Sequence, residues 1–195
     1  MQDKLTLEEQ QTLLRMARQA LECGVRGEKL PPLDETVLSL QLREYCASFV
    51  TLTIRGELRG CIGALEAHKP LAQDVRDHAI AAALEDPRFP PVIEAELSRI
   101  QIEVSRLTRP IPLEYKDAAD LLSLLRPHVD GVILRDGFRR ATFLPQVWEK
   151  IPNPAEFLNY LCHKMGLGEN TWVNKHMDVF IYHVEEFHES PGMQL

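Results

Sequence analysis

The six residues Leu58-Arg59-Gly60-Cys61-Ile62-Gly63 place a guanidinium, a thiol and two glycines on one short stretch of chain. Glycines weaken a strand interior and mark a bulge or a place where another backbone or a ligand comes close. An arginine beside a half-buried thiol favours the thiolate. Cys61 is therefore a candidate nucleophile or redox residue, with Arg59 or Arg88 as the activating cation. A base is also needed, and His68 is the nearest histidine in sequence. Recognition asks for less. Arg59 and Arg88 would form a fork for a carboxylate or phosphate, amides at Gly60 and Gly63 would line the approach, and Phe89 would close one wall. The structural alternatives are a small buried thiol and an Arg59 paired with Asp86 or Glu103 as a tie between lobes.

Two further segments supply companions. Asp86-Pro87-Arg88-Phe89-Pro90-Pro91 carries a carboxylate, a guanidinium and a ring on a loop that three prolines keep out of helix and central strand. In Ile100-Gln101-Ile102-Glu103-Val104-Ser105 the alternation puts Ile100, Ile102 and Val104 on the core face. Glu103 then points to the opposite face and is the carboxylate candidate for the site. His183-x-Glu185 and His188-Glu189 have neither zinc nor facial-triad spacing, so no metal site is expected and no cofactor is assigned. Trp148 and Trp172 are candidate anchors for a protein partner, with Trp148 itself expected to be mostly buried.

The elements that must position these residues are legible in outline. Thr6 and Glu9 read as a capping box for a helix with Leu7, Leu14, Ala17 and Leu21 on one face and a stop at Gly24. Asp34 to Tyr45 reads as a second helix. The alternating run from Phe49 to Ile54 and the signature form a hairpin through Gly56-Glu57, a type II′ turn. That register pairs Leu52 with Cys61 and puts Arg59 and Cys61 on the face of Val50, Leu52 and Ile54; a three-residue loop with a bulge would exchange the faces. Leu71, Val75, Ala79 and Ala82 stripe a helix that stops at Asp86-Pro87, its alanines permitting close approach to a sheet. Beyond Glu103, a helix over Asp117 to Arg126, a hairpin through Asp136-Gly137, a helix capped by Asn153-Pro154 and a last strand from Val179 to Phe187 complete the pattern. Hairpins interrupted by helices without a βαβ period give the α+β class, with mainly antiparallel sheets flanked by helices.

Composition narrows the partners. The chain has 195 residues and a net charge of -7, from 29 acidic against 22 basic side chains. It offers no basic footprint for nucleic acid or an anionic membrane. No run is long enough to span a bilayer, and Met1-Gln2-Asp3-Lys4 leads into no apolar signal core. Four scattered cysteines without a Cys-x-x-Cys fit neither a disulfide scaffold nor a zinc knuckle, so a reducing cytoplasm is expected.

The signature, the proline loop, Phe49-Val50-Thr51-Leu52, Ile102-Glu103-Val104-Ser105, Arg140-Ala141-Thr142-Phe143-Leu144-Pro145-Gln146-Val147-Trp148, Phe157-Leu158 and Lys164-Met165-Gly166-Leu167 together resemble the AMMECR family, also called AmmeMemoRadiSam system protein A. The matches span most of the chain; a local departure is Cys46-Ala47-Ser48, where family members often carry an Arg-Gly pair. The resemblance implies an α+β protein of two lobes with the signature lining a cleft between them. The smaller lobe is expected at roughly 27–92, and the larger from 1–26 plus 93–195. It further implies a prokaryotic cytoplasmic setting beside a Memo-type protein and a radical SAM protein. No particular reaction follows from it.

Overall fold

The computed structural model describes residues 4–189. In chain order its elements are α1 (Leu7–Arg26), α2 (Leu40–Arg43), β1 (Ala47–Ile54), β2 (Glu57–Gly63), α3 (Leu71–Leu84) and β3 (Ile100–Leu107). They continue with β4 (Ile111–Pro112), α4 (Ala118–Leu124), β5 (Gly131–Asp136), β6 (Arg139–Phe143), α5 (Pro154–Lys164), α6 (Thr171–Asn174), β7 (Asp178–Tyr182) and β8 (Val184–His188). The strands form two antiparallel four-stranded sheets, ordered β2-β1-β3-β8 and β4-β7-β5-β6. The fold is therefore α+β, as the hairpin pattern indicates.

The chain divides into two units. The first runs to Leu107 and resumes at Glu185; the second is Thr108–Val184. This division falls elsewhere than the expected 27–92 lobe. Strand β3 pairs with β1 along its whole length, Ala47 opposite Leu107 through Ile54 opposite Ile100, so it cannot belong to a different body from the hairpin. Helix α1 shares a buried core with α3 and β1 and belongs there too.

In the first unit the Thr6–Glu9 box forms reciprocally at the start of α1. The helix runs through Gly24 to a left-handed Gly27 at φ 68°, three residues beyond the expected stop. Gly24 lies inside the helix, and a Cβ there would come within 3.2 Å of Ile80 on α3, so the missing side chain serves contact between helices rather than termination. Leu7, placed on the inner face by periodicity, is exposed because it precedes the first packed turn. The helix expected over Asp34 to Tyr45 breaks in two, a 3-10 turn at Glu35–Val37 capped by Asp34 and α2 capped by Ser39. Side-chain caps at both positions offer the backbone partners that interrupt one continuous helix. Leu71, Val75, Ala79 and Ala82 of α3 are all buried, and the alanines let the sheet lie close.

The second unit has its own core around Leu121, Val132, Leu134, Trp148, Phe157 and Leu158. Trp148 stacks on Phe157 with ring centroids 3.6 Å apart, and its Nε1 donates to the Asp130 carbonyl at 2.7 Å. Trp172 is buried as well, its Nε1 donating to Asn159 at 2.7 Å, so neither tryptophan is an exposed anchor. The β5–β6 hairpin pairs Asp136 with Arg139, which moves its tip to Gly137 and Phe138. The single last strand expected from Val179 to Phe187 is two strands in two sheets. It breaks at His183, whose amide donates to Thr108 Oγ1 at 2.8 Å and whose carbonyl accepts from the Thr108 amide at 2.8 Å. No helix among the described residues is long and apolar enough to cross a membrane.

Candidate functional site

Turn chemistry sets the geometry of the signature. Ile54 pairs with Glu57, so the loop is Arg55-Gly56, not Gly56-Glu57. Both loop residues have positive φ, 55° and 81°, the arrangement of a type I′ turn whose twist matches the flanking strands. The register then slips between Leu52 and Thr53: Thr53 faces Leu58, but Leu52 faces Gly60, leaving Arg59 as the extra residue of a bulge. The bulge exchanges the faces downstream. Cys61 lies opposite Thr51, and Gly60 and Ile62 take the side of Leu52 and Val50.

That exchange explains the glycines. A Cβ on Gly60 would sit 2.1 Å from the Ala82 carbonyl oxygen of α3, so the strand backbone rests directly on the helix. A Cβ on Gly63 would meet the Phe49 ring at 2.3 Å and the Ser48 carbonyl at 2.5 Å. Both absent side chains leave room that protein atoms fill; neither opens a channel for a ligand.

Cys61 is half-buried and gripped through its backbone. Its amide donates to Asp86 Oδ2 at 2.8 Å, and its carbonyl accepts from Arg88 Nη2 at 3.2 Å. Asp86 in turn accepts from Arg88 Nε at 2.9 Å and Nη2 at 2.6 Å, and from the Arg88 amide at 3.1 Å. The Arg88 guanidinium, followed by these amides, holds the Asp86 carboxyl far below the ordinary carboxylate range. The Asp86 side chain is 2% exposed, whereas that of Arg88 is 54% exposed, with its guanidinium 5.6 Å from the centre of the Phe89 ring.

Arg59 is placed differently. Its Nε and Nη2 donate to the two carboxylate oxygens of Glu96 at 2.8 and 2.9 Å, and Nη2 also reaches the Pro91 carbonyl at 3.3 Å. Both side chains are largely buried, and Arg59 holds Glu96 below its ordinary pKa. The expected two-arginine fork is thus not free: each guanidinium already has a bidentate carboxylate. Glu96, rather than Asp86 or Glu103, is the tie. No sequence signal singled it out, because its 3-10 segment, Glu94–Arg99, has no residue pattern that points back to the hairpin.

On the face opposite α3, Cys61, Thr51 and Glu103 form a row across three strands. Thr51 Oγ1 donates to Cys61 Sγ at 3.2 Å. Burial pushes the Glu103 carboxyl up, the neighbouring Glu186 adds to this, and His188 opposes it. Thr51 escaped sequence reading because only the bulged register brings it to Cys61. His68 is exposed and lies 3.8 Å from Glu66, and among the described residues no histidine or carboxylate is hydrogen-bonded to the Cys61 sulfur. No group of three or more His, Cys, Asp and Glu side chains fit to hold a metal occurs among the described residues.

Comparison with known proteins covers nearly the whole chain. A family model described as AMMECR1 matches residues 14–187. A protein of Methanothermobacter thermautotrophicus is 41% identical over 95% of this chain and 96% of its own length. One from Methanopyrus kandleri is 38% identical over 97% and 92%. The crystal structure of an uncharacterized protein from Pyrococcus horikoshii superposes with a TM-score of 0.75 at 32% identity, covering 96% of this chain and 95% of that one.

Proposed function

The chain belongs to the AMMECR1 family, and from that premise we propose that it is a recognition protein whose signature strand presents Arg88 to an anionic small molecule or to an acidic group of a protein partner. The observation that carries this reading is the clamp at Cys61. A nearly inaccessible carboxylate, Asp86, fixes an exposed guanidinium in one orientation against the strand backbone. Such preorganisation lowers the ordering cost of binding an anion. Nη1 of Arg88 takes no part in the clamp and is left for a ligand oxygen, and the Phe89 ring offers a flat apolar neighbour. The row of Thr51, Cys61 and Glu103 supplies further polar groups on the adjoining strands.

A member of this family acting with Memo-type and radical SAM proteins would use the same exposed arginine toward a partner's carboxylate. Benzoate is a direct probe, since it joins a carboxylate to a ring. Amide NMR shifts on titration should saturate at Cys61, Arg88 and Phe89. Shifts that fail to saturate, or that avoid these residues, would contradict the reading.

A further inference from the structure

A second feature lies at the turn end of the same hairpin. A cavity of about 400 Å³ is lined by Ile54, Arg55, Glu57, Leu58, Arg59 and Arg99. This volume is within the range of small-molecule sites. Three local choices of backbone bring the arginines together. The type I′ turn holds Arg55 at φ 55°, a conformation that non-glycine residues adopt uncommonly. The bulge redirects Arg59. Arg99 ends the 3-10 segment immediately before Ile100, the cross-strand partner of Ile54.

The charge balance is opposite to that of the chain. Three guanidinium groups face one lining carboxylate, Glu57, and one behind it, Glu96, in a protein whose net charge is -7. Glu96 is hydrogen-bonded to Arg59 and is also held down by the charge of Arg99, while Arg55 and Arg99 are exposed and neither side chain donates a hydrogen bond among the described residues. Ile54 and Leu58, the latter 43% exposed, provide apolar wall.

We propose that this cavity is a binding site for a small phosphomonoester, with Arg55 and Arg99 taking the phosphate charge and Ile54 and Leu58 meeting the organic part. The site is separate from the Arg88 clamp and does not depend on it. Phosphate suits the arrangement because guanidinium groups meet its oxygens with two parallel hydrogen bonds.

The test is an amide NMR titration of the full chain with phenyl phosphate at constant ionic strength, with phenol as the neutral control. Phenyl phosphate should give saturating shifts at Gly56, Glu57 and Leu58 that phenol does not. The double variant Arg55→Gly with Arg99→Ala should weaken binding by about tenfold or more, the loss of charge-assisted hydrogen bonds. Glycine is at ease at φ 55°, so this variant keeps the turn. Binding within about twofold of wild type in the double variant, or shifts confined to Cys61 and Arg88, would overturn the proposal, the latter while leaving the clamp reading intact.

Discussion

Strand β2 is held by an arginine and a carboxylate at two places, and the two pairs expose different things. At Arg59 and Glu96 both side chains are mostly shielded, 13% and 16% exposed, so the pair joins the bulge to the segment before β3. At Arg88 and Asp86 only the acid is shielded, and the cation looks outward. A pair that hides both charges is a tie, while one that hides the anion and displays the cation leaves a charge open to the outside, which is the basis of the receptor role proposed for Arg88. Residue identity does not separate the cases; the exposure of the guanidinium does.

The largest effect comes from breaking the support common to both places. Gly60→Ala drives a methyl into the Ala82 carbonyl and should cost about 3 kcal/mol or more in urea denaturation, the upper range of overpacking. A loss below about 1 kcal/mol would mean that the strand does not rest on α3 as described.

Asp86→Asn sharpens the receptor side. It should lower stability at pH 7 by about 1–2 kcal/mol, since an amide loses the charge paired with Arg88 and keeps only one accepting oxygen for donors that now use two. Because folding depresses the Asp86 pKa, its contribution is present above the ordinary carboxylate value and is lost progressively as pH falls from there through the depressed folded-state value. The stability gap between wild type and variant should therefore be narrower at pH 3 than at pH 5 in denaturation curves. A gap of the same size at both values would contradict this linkage.

Arg59→Lys should cost about 1 kcal/mol, because a point charge cannot reproduce the fork to Glu96, and should leave benzoate affinity unchanged. The smallest effect is expected at Glu103, whose shift has the opposite sign. A raised carboxyl pKa is a penalty present at neutral pH and relieved once the folded-state group is protonated. Glu103→Gln should therefore stabilise at pH 7 by roughly 0.5 kcal/mol or less and lose that advantage near pH 4, as thermal melts at the two values would show.

Much of the frame is legible in the sequence because it depends on local pattern. The Thr6–Glu9 box, the stripe from Leu71 to Ala82, the alternation from Ile100 to Val104 and the Asn153 cap each follow from spacing and cap chemistry. The site is less legible because it depends on register. One turn placed at Arg55-Gly56 and one bulge at Arg59 move Cys61 from the Leu52 side to the Thr51 side, and neither is fixed by residue types alone. Asp86, Arg88 and Cys61 do come together, since the proline loop is stiff and follows α3 directly. Glu96 and Thr51 join them only through tertiary contact. The division into units is not legible in the sequence, because strand pairing between β1 and β3 links segments that sequence order separates.

A calorimetric titration of benzoate into the wild type, Arg88→Lys and Arg59→Lys proteins at one pH and ionic strength separates the two arginines most directly. A lysine at 88 keeps the charge beside Asp86 and loses the planar fork, so affinity should fall about tenfold or more in that variant and stay within about twofold in the other. Equal affinity in all three proteins, or a larger loss at Arg59 than at Arg88, would contradict the division into a receptor and a tie.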